Sequence, residues 1–289
     1  MNKQSSLLEI HLAVLLFGLA GLFGKWVALS PFIIVLGRVF FASLTLALIL
    51  WLSKQSIKIP QGKNAGYLLF LGFILSIHWA AFFQSIQVST VAIGLLSFSS
   101  YPVFTTFLEP LFFREKIIKI NIIFSLFCLM GVFLIIPRFN LDDSTFVGVL
   151  WGLLAGLTFA VLTILNRKLT LQFSSMLIAF YQDFFATLFL LPFFFSLKPS
   201  LDTRNLLLLI VLGVFCTAGS HTLFIKGMKH LKAQTASFIH FLEPVYGIIF
   251  AFLFLREIPS LRTIFGGTII LVGQIFIILR ILKKRKKNA

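Results

Sequence analysis

Charged side chains are scarce in this sequence, and acidic ones especially so. Charged residues make up 12% of the 289 positions, with 9 Asp and Glu against 25 Lys and Arg, whereas a soluble domain carries about 25% charged residues. Hydrophobic residues make up 59%, and the mean hydropathy is +1.03. This composition excludes a soluble globular domain and predicts an all-α integral membrane protein.

Cysteines and the signatures of catalytic sites are also lacking. Cys128 and Cys216 are the only two cysteines, and each lies in an apolar segment away from other metal ligands, which argues against a disulfide framework or a zinc site. The segment GKNAG at 62–66 lacks the spacing of a nucleotide-binding loop, and no HExxH motif occurs. The sequence therefore indicates neither an ATP-driven pump nor an enzyme, and it implies no cofactor and no metal.

Long apolar runs are what the sequence has instead. A membrane-spanning helix needs about 20 mainly apolar residues. On that measure the chain divides into ten predicted spans joined by short connections: 8–29, 32–52, 65–86, 91–112, 119–137, 146–166, 173–196, 205–226, 233–255 and 261–281.

The positive residues predict the orientation of these spans, because cytoplasmic loops are enriched in Lys and Arg. With both termini in the cytoplasm, 18 of the 25 Lys and Arg lie on the cytoplasmic side, 6 lie outside and Arg38 lies within a span. Their confinement to short loops also argues against nucleic-acid binding, despite the net charge of +16. We therefore expect a multi-pass protein of the inner (plasma) membrane, in contact with lipid.

The chain contains an internal repeat. A shift of 142 positions aligns YPVFTTFLEPLFFRE (Tyr101–Glu115) with EPVYGIIFAFLFLRE (Glu243–Glu257), and the same shift takes Gly131 to Gly273. We interpret 1–141 and 142–289 as two related five-helix units. Because five is odd, the second unit enters the membrane from the opposite side, and such inverted repeats are typical of carriers that alternate around a midplane site.

With these features the chain resembles the EamA family of the drug/metabolite transporter superfamily. The resemblance covers essentially the whole chain, and it rests on a proline in the fourth and ninth spans with a glutamate at the end of each span (Pro102 with Glu115, Pro244 with Glu257) and on Glu243. It implies a secondary carrier of ten helices in two inverted five-helix repeats. Known members export amino acids and other small metabolites. We therefore expect export of an amino acid or related compound, with a carrier of nucleotide-linked or lipid-linked sugar as the alternative.

Glu243 is the leading candidate for a site residue. It lies about ten residues into the ninth predicted span, where a charge costs about 2.5–3.5 kcal/mol, so that ionisable residues at such depth are functional candidates. His240 precedes it by one turn on the same helix face. The pair could bind a cationic group of a substrate and use protons as the coupling ion. The alternative is that Glu243 caps backbone groups freed by a helix break at Pro244.

Aromatic and histidine side chains form the rest of the predicted site. The shift of 142 matches His221 with Trp79, and Glu243 with Tyr101, so we expect each pair to face one cavity from opposite halves. A lone buried histidine is more often a core residue than a ligand contact. The predicted substrate-binding residues are Trp79, Tyr101, His221, His240, Glu243 and His78.

Several other residues within spans are predicted to be structural. Arg38 aligns with Gln182, beside Asp183, which favours either mutual pairing of Arg38 and Asp183 or the capping of backbone carbonyls. The GxxxGxxxG series at Gly148–Gly156 indicates close helix packing. Trp151 within that series is a candidate wall of the cavity.

Prolines mark the predicted gates. Pro102 and Pro244 lie in the spans whose breaks would form the cavity, and Glu109 with Pro110 gives the fourth span a second proline near its cytoplasmic end. This extra proline predicts a kink at an inner gate. The alternative is a surface glutamate paired with Lys116.

Overall fold

The structure is a computed structural model that describes residues 3–55, 57, 62–114, 116–117, 119–228, 231, 239–240 and 242–273. Within these ranges the regular secondary structure is entirely helical. The helices are α1 (Lys3–Trp26), α2 (Pro31–Leu52), α3 (Lys63–Val88), α4 (Val91–Phe98), α5 (Tyr101–Phe113), α6 (Lys119–Ile135), α7 (Ser144–Leu169), α8 (Ser175–Leu197), α9 (Thr203–Gly213), α10 (Ser220–Met228), α11 (Leu242–Phe250) and α12 (Leu261–Gly273).

Within the described part of the chain, seven helical stretches are long and apolar enough to cross a membrane. They include Val91–Phe113, which joins α4 and α5, and Thr203–Met228, which joins α9 and α10. Three shorter apolar helices, Ile120–Ile135, Leu242–Leu255 and Leu261–Gly273, fall within the remaining predicted spans. The described residues cover only part of the ninth and tenth predicted spans. They do not include Glu115, the loop residues Lys58, Lys229 and Lys232, or the basic tail. The helical fold is confirmed, and the crossing of the membrane by all ten spans remains a prediction.

Short polar side chains set the start of several helices. The side-chain oxygens of Thr90, Asp143, Ser174 and Asp202 each accept a hydrogen bond from a backbone N–H in the first turn of α4, α7, α8 and α9. These bonds satisfy donors that a helix start leaves without an intrahelical partner. The turns between the long apolar helices are thereby fixed in length and direction.

Four basic residues adopt the left-handed backbone conformation, and they fall into two pairs related by the repeat. Lys54 (φ 50°) follows the end of α2 and Lys198 (φ 41°) follows the end of α8, while Arg114 (φ 54°) and Arg256 (φ 56°) follow α5 and the last helical turn after α11. Glycine usually occupies this position at a helix end. A basic side chain there interacts favourably with the negative end of the helix dipole.

The helices pack into one bundle in which elements from the two sequence halves alternate. Helix α2 packs against α8, α3 packs against both α7 and α8, and α1 packs against α10 and α11. The glycine series on α7 faces the fourth predicted span: a Cβ on Gly156 would lie 3.0 Å from the Phe98 carbonyl oxygen, and one on Gly152 would lie 2.7 Å from Ser97 Cβ. The predicted close packing along Gly148–Gly156 is confirmed.

Candidate substrate site

The described helices are interrupted at three places. The fourth predicted span is broken between α4 and α5 by a turn at Ser99 and Ser100, and Pro102 starts α5, where a proline removes no intrahelical hydrogen bond. The stretch Val214–Gly219 between α9 and α10 and the stretch Ala251–Leu255 after α11 are both π-helical. Such segments occur frequently at functional sites, because they redirect backbone groups and side chains.

Glu243 and His240 meet in the interior. His240 Nδ1 lies 2.8 Å from Glu243 Oε2, and both side chains are at most 2% exposed. The angle of this contact falls outside hydrogen-bond geometry, and neither oxygen of Glu243 has a hydrogen-bond partner among the described residues. Pro244 lies in the first turn of α11, which begins at Leu242, and Phe241 lies outside the described residues, so the helix break predicted at Pro244 remains a prediction. The same-face contact expected of Glu243 and His240 is confirmed.

Trp79 and His221 stack, as the repeat predicted. Their ring centroids are 5.8 Å apart with an angle of 20° between the planes. On its other side His221 approaches Asp183, with Nδ1 3.7 Å from Oδ1, and neither Asp183 oxygen has a hydrogen-bond partner among the described residues. The indole N–H of Trp79 is likewise buried without an acceptor there. Residues from α3, α8 and α10 thus bring a second acid and histidine into the same interior.

Arg38 on α2 is fully buried, and its side chain contacts the π-helical stretch Val214–Gly219 that precedes α10. Its Nε donates to Thr217 Oγ1 (3.0 Å) and its Nη2 donates to the Cys216 carbonyl oxygen (3.4 Å). The guanidinium carbon lies 3.5 Å from the centroid of the Trp79 ring. Of the two predicted alternatives, the capping of a backbone carbonyl is confirmed, and Asp183 contacts His221 rather than Arg38.

Aromatic side chains surround the imidazole of His240. Its ring centroid lies 5.2 Å from those of Tyr101, Phe17 and Phe224, and 4.6 Å from that of Phe159. Tyr101 and Glu243 thus approach His240 from opposite sequence halves. A cavity of about 20 Å³ adjoins this region, lined in part by Phe17, His221 and Phe159. That volume holds about one water molecule, so this part of the site is closed around its polar groups.

His78 is fixed to α7 rather than aimed at the other histidines. Its Nδ1 lies 2.9 Å from the Ala155 carbonyl oxygen and 3.4 Å from Thr158 Oγ1. Its ring lies beside Trp79, at a centroid distance of 4.6 Å. A contact of His78 with substrate remains a prediction, as it does for the other candidate residues.

Glu109 differs from the expectation of a surface glutamate. It is 1% exposed, and its Oε1 accepts a hydrogen bond from Arg167 Nη1 at 2.6 Å, so its partner on α7 replaces the expected Lys116. Burial of α5 against α7 removes the carboxylate from water, which is why a charged partner is required. Helix α5 continues through Pro110 to Phe113, so a hinge at Pro110 remains a prediction.

Trp151 also departs from the expectation, because its side chain is 38% exposed on the outside of the bundle and is not a wall of the interior. The glycines on its helix face α4, which turns the tryptophan toward the lipid side.

Sequence reasoning missed the partners that hold the buried polar side chains. The Thr217 hydroxyl and the Cys216 carbonyl oxygen accept hydrogen bonds from Arg38. Asn166 accepts a hydrogen bond from Gln182 beside the small cavity. Polar residues inside otherwise apolar spans were the available signal for Asn166, Gln182 and Thr217. The π-helical turn that exposes the Cys216 carbonyl had no such signal.

Comparison with known proteins decides the family. The sequence model of the EamA-like transporter family matches twice, over residues 4–136 and 146–279. The chain belongs to the EamA-like transporter family. As a member of that family it is a membrane transporter, and one matched region falls within each of the two units proposed from the sequence, whose bounds remain a prediction.

Curated relatives of this EamA-like transporter extend over most of its length. An uncharacterised transporter, YxxF of Bacillus subtilis, is 26% identical over 96% of this chain and 91% of its own length. An S-adenosylmethionine uptake transporter of Rickettsia conorii is 27% identical over 86% of this chain and 83% of its own. One crystal structure has a TM-score of 0.70, with 15% sequence identity, over 94% of this chain and 96% of its own, which shows a shared fold.

Proposed function

We propose that this EamA-like protein is a secondary carrier that moves an amino acid or an amino-acid derivative across the membrane by alternating access. The observation that carries the proposal is the buried polar cluster formed by Glu243, His240, Asp183, His221 and Arg38. It draws on α2, α8, α10 and the start of α11, and its carboxylate oxygens have no hydrogen-bond partners among the described residues. Buried carboxylates that lack hydrogen-bond donors are costly, and a ligand or a proton would lower that cost.

The packing of the helices supports a rocking mechanism. A shift of one sequence half converts the α3–α7 contact into the α10–α1 contact, and the α5–α7 contact into the α11–α1 contact, while α2 against α8 maps onto itself. The left-handed residues Lys54 with Lys198, and Arg114 with Arg256, repeat at offsets of 144 and 142. Equivalent interfaces in two halves of opposite orientation would give a carrier two related conformations around one midplane site.

The chemistry of the cluster supports a substrate with a positive group. The carboxylates of Glu243 and Asp183 would attract an ammonium or sulfonium, and Trp79 and Phe17 offer ring faces that favour cations. Protons are the proposed coupling ion, because His240 contacts Glu243 and could receive a proton when substrate leaves. The relatives named for S-adenosylmethionine uptake favour amino-acid derivatives that carry a cation.

Export is the direction proposed from the sequence resemblance, and uptake is the second candidate, favoured by the same relatives. The test is transport by the purified protein in liposomes with an imposed pH gradient. Labelled L-amino acids and S-adenosylmethionine are offered in turn, first outside and then preloaded inside. We expect accumulation of at least one of these compounds against its own gradient. Absence of transport and binding for every compound would refute the proposal, and flux that only follows the substrate gradient would refute proton coupling.

A further inference from the structure

Arg38 is the one buried arginine in the centre of the described bundle, and its guanidinium is incompletely paired. A guanidinium has five N–H donors. The Nε group donates to Thr217, Nη2 donates to the Cys216 carbonyl oxygen, and Nη1 has no hydrogen-bond partner among the described residues, although Arg38 is 0% exposed. An unpaired donor on a buried charge is destabilising unless another group completes it.

The π-helical stretch fixes the orientation of this guanidinium. Thr217 Oγ1 accepts from Arg38 while donating to the Leu212 carbonyl oxygen at 2.7 Å. The Trp79 ring lies against the guanidinium, with its centroid 3.5 Å from Cζ. Arg38 is thereby held from two helices before any ligand arrives, which lowers the entropy lost when a ligand binds.

The acids near Arg38 form their ion-pair contacts with histidines and not with Arg38. Asp183 contacts His221 and Glu243 contacts His240, whereas Arg38 forms no ion pair with any described carboxylate. Both acids lie close enough to interact electrostatically with the guanidinium. The site thus holds two carboxylates with histidine partners and one cation that lacks an anionic partner.

We propose that Arg38 binds the carboxylate of the transported compound, while Glu243 and His240 receive its cationic group. The inference rests on the proposed function and narrows it to compounds that carry both charges, of which α-amino acids and their derivatives are the simplest class. A planar guanidinium binds a carboxylate through parallel N–H donors. The residue predicted to be structural from the sequence becomes a specificity-determining residue.

The test compares each carboxylate-bearing compound with its decarboxylated analogue. The probes are S-adenosylmethionine with decarboxylated S-adenosylmethionine, and L-methionine with 3-(methylthio)propylamine. Binding to the purified parent protein is measured by thermal shift and by intrinsic tryptophan fluorescence. We expect the parent to bind the carboxylate-bearing member about 10 to 100 times more tightly, the range given by one charge-assisted hydrogen bond.

Variants at Arg38 then separate specificity from folding. Arg38→Met is expected to bind both members of a pair with the same affinity, and Arg38→Lys is expected to retain part of the preference. Thr217→Val removes the hydroxyl that orients the guanidinium, so it is expected to reduce the preference as well. Arg262→Gln is the matched control, because Arg262 donates to the Ile136 carbonyl oxygen at a helix end away from the cluster.

The outcomes are distinguishable from failure of the proposed function. Equal affinity of the parent for both members of each pair, or an undiminished preference in a folded Arg38→Met protein, would overturn the role of Arg38 even if transport occurs. Should Arg38→Met fail to fold, an undiminished preference in both Arg38→Lys and Thr217→Val would overturn it. Sugar phosphates form a third arm: if only these bind, and binding needs Arg38, the guanidinium serves phosphate and the carboxylate proposal is wrong.

Discussion

Carboxylates near the ends of the helices and carboxylates in the middle of the bundle are treated differently by this fold. Toward the ends, Glu109 meets Arg167 at 2.6 Å, Glu9 meets Lys226 at 2.6 Å, and Glu257 accepts hydrogen bonds from two backbone N–H groups at 3.1 Å. In the middle, Asp183 and Glu243 each contact a histidine, and their oxygens have no hydrogen-bond partner within the described residues.

The difference separates carboxylates whose charge is compensated within the fold from carboxylates that could still bind a proton or a cation. A carboxylate with a permanent cation or backbone donor holds two helices together, and its charge is already compensated. A carboxylate whose ion-pair partner is a histidine changes its charge balance when a proton or a cation arrives. Incompletely paired groups at the centre of the bundle would give the proposed substrate site an energy that depends on occupancy.

Replacement of the central acid should have the largest effect on transport. Glu243→Gln keeps the shape of the side chain but removes its charge, so we expect transport to fall by at least about 100-fold, beyond the worth of one charge-assisted hydrogen bond, or to lose its pH dependence. Folding and membrane insertion should be unchanged. Liposome flux and size-exclusion profiles check both parts.

Glu9→Gln is the matched control for this change, since Glu9 is paired with Lys226 away from the cluster. If Glu243→Gln transports like the parent at every pH tested, the acid is structural and the comparison between centre and ends fails.

Replacement of Glu109, the acid paired with Arg167, should affect stability more than transport activity. Glu109→Gln leaves Arg167 without its anion, and breaking one member of a buried pair costs about 3–5 kcal/mol. Because the Arg167 side chain is 20% exposed, we expect the low end of that range, seen as a fall in melting temperature of at least about 5 °C. The protein that remains folded should still transport.

A double-mutant cycle sharpens this prediction. Glu109→Gln combined with Arg167→Gln removes both charges, so the combined loss of melting temperature should be smaller than the sum of the single losses. Additive losses would mean that the two residues stabilise the protein independently of each other.

Replacement of Glu257 should give a smaller effect. Glu257, from the second sequence half, caps the N-terminus of α4 through Val91 and Ala92, and Lys25 Nζ binds the Ser89 carbonyl oxygen beside it at 2.8 Å. Glu257→Gln removes the charge from a partly exposed helix cap, which costs about 0.5–1 kcal/mol.

We expect the loss of this cap to open the bundle more often at the start of α4. The measurement is thiol labelling of Ser89→Cys, which should be faster in the Glu257→Gln background than in the parent background. Unchanged labelling would mean that the cap stabilises α4 without affecting access.

The helices and several contacts among central residues could be predicted from the sequence. Apolar length marks the helical stretches, and the shift of 142 brought Trp79 to His221, whose rings do stack. The partner of Glu109 was not predictable, because Lys116 is near in sequence whereas Arg167 becomes near only after α7 packs on α5. The partners of Arg38 depend on a local π-helical turn, which leaves no composition signal in Val214–Gly219.

The last prediction concerns the orientation of the two sequence halves in the membrane, and its test does not alter transport. Reporters fused after Lys63 and Lys232 should be cytoplasmic, and those fused after Ser144 and Ser200 periplasmic, because this arrangement leaves 18 of the 25 basic residues inside. Alkaline phosphatase active only outside and a fluorescent protein active only inside give opposite signals at each site. A periplasmic signal at Lys232, which lies outside the described residues, would give both halves the same orientation. The Glu109–Arg167 pair could then no longer be assigned to an inner gate opposite Glu257, and the symmetry that supports alternating access would be lost.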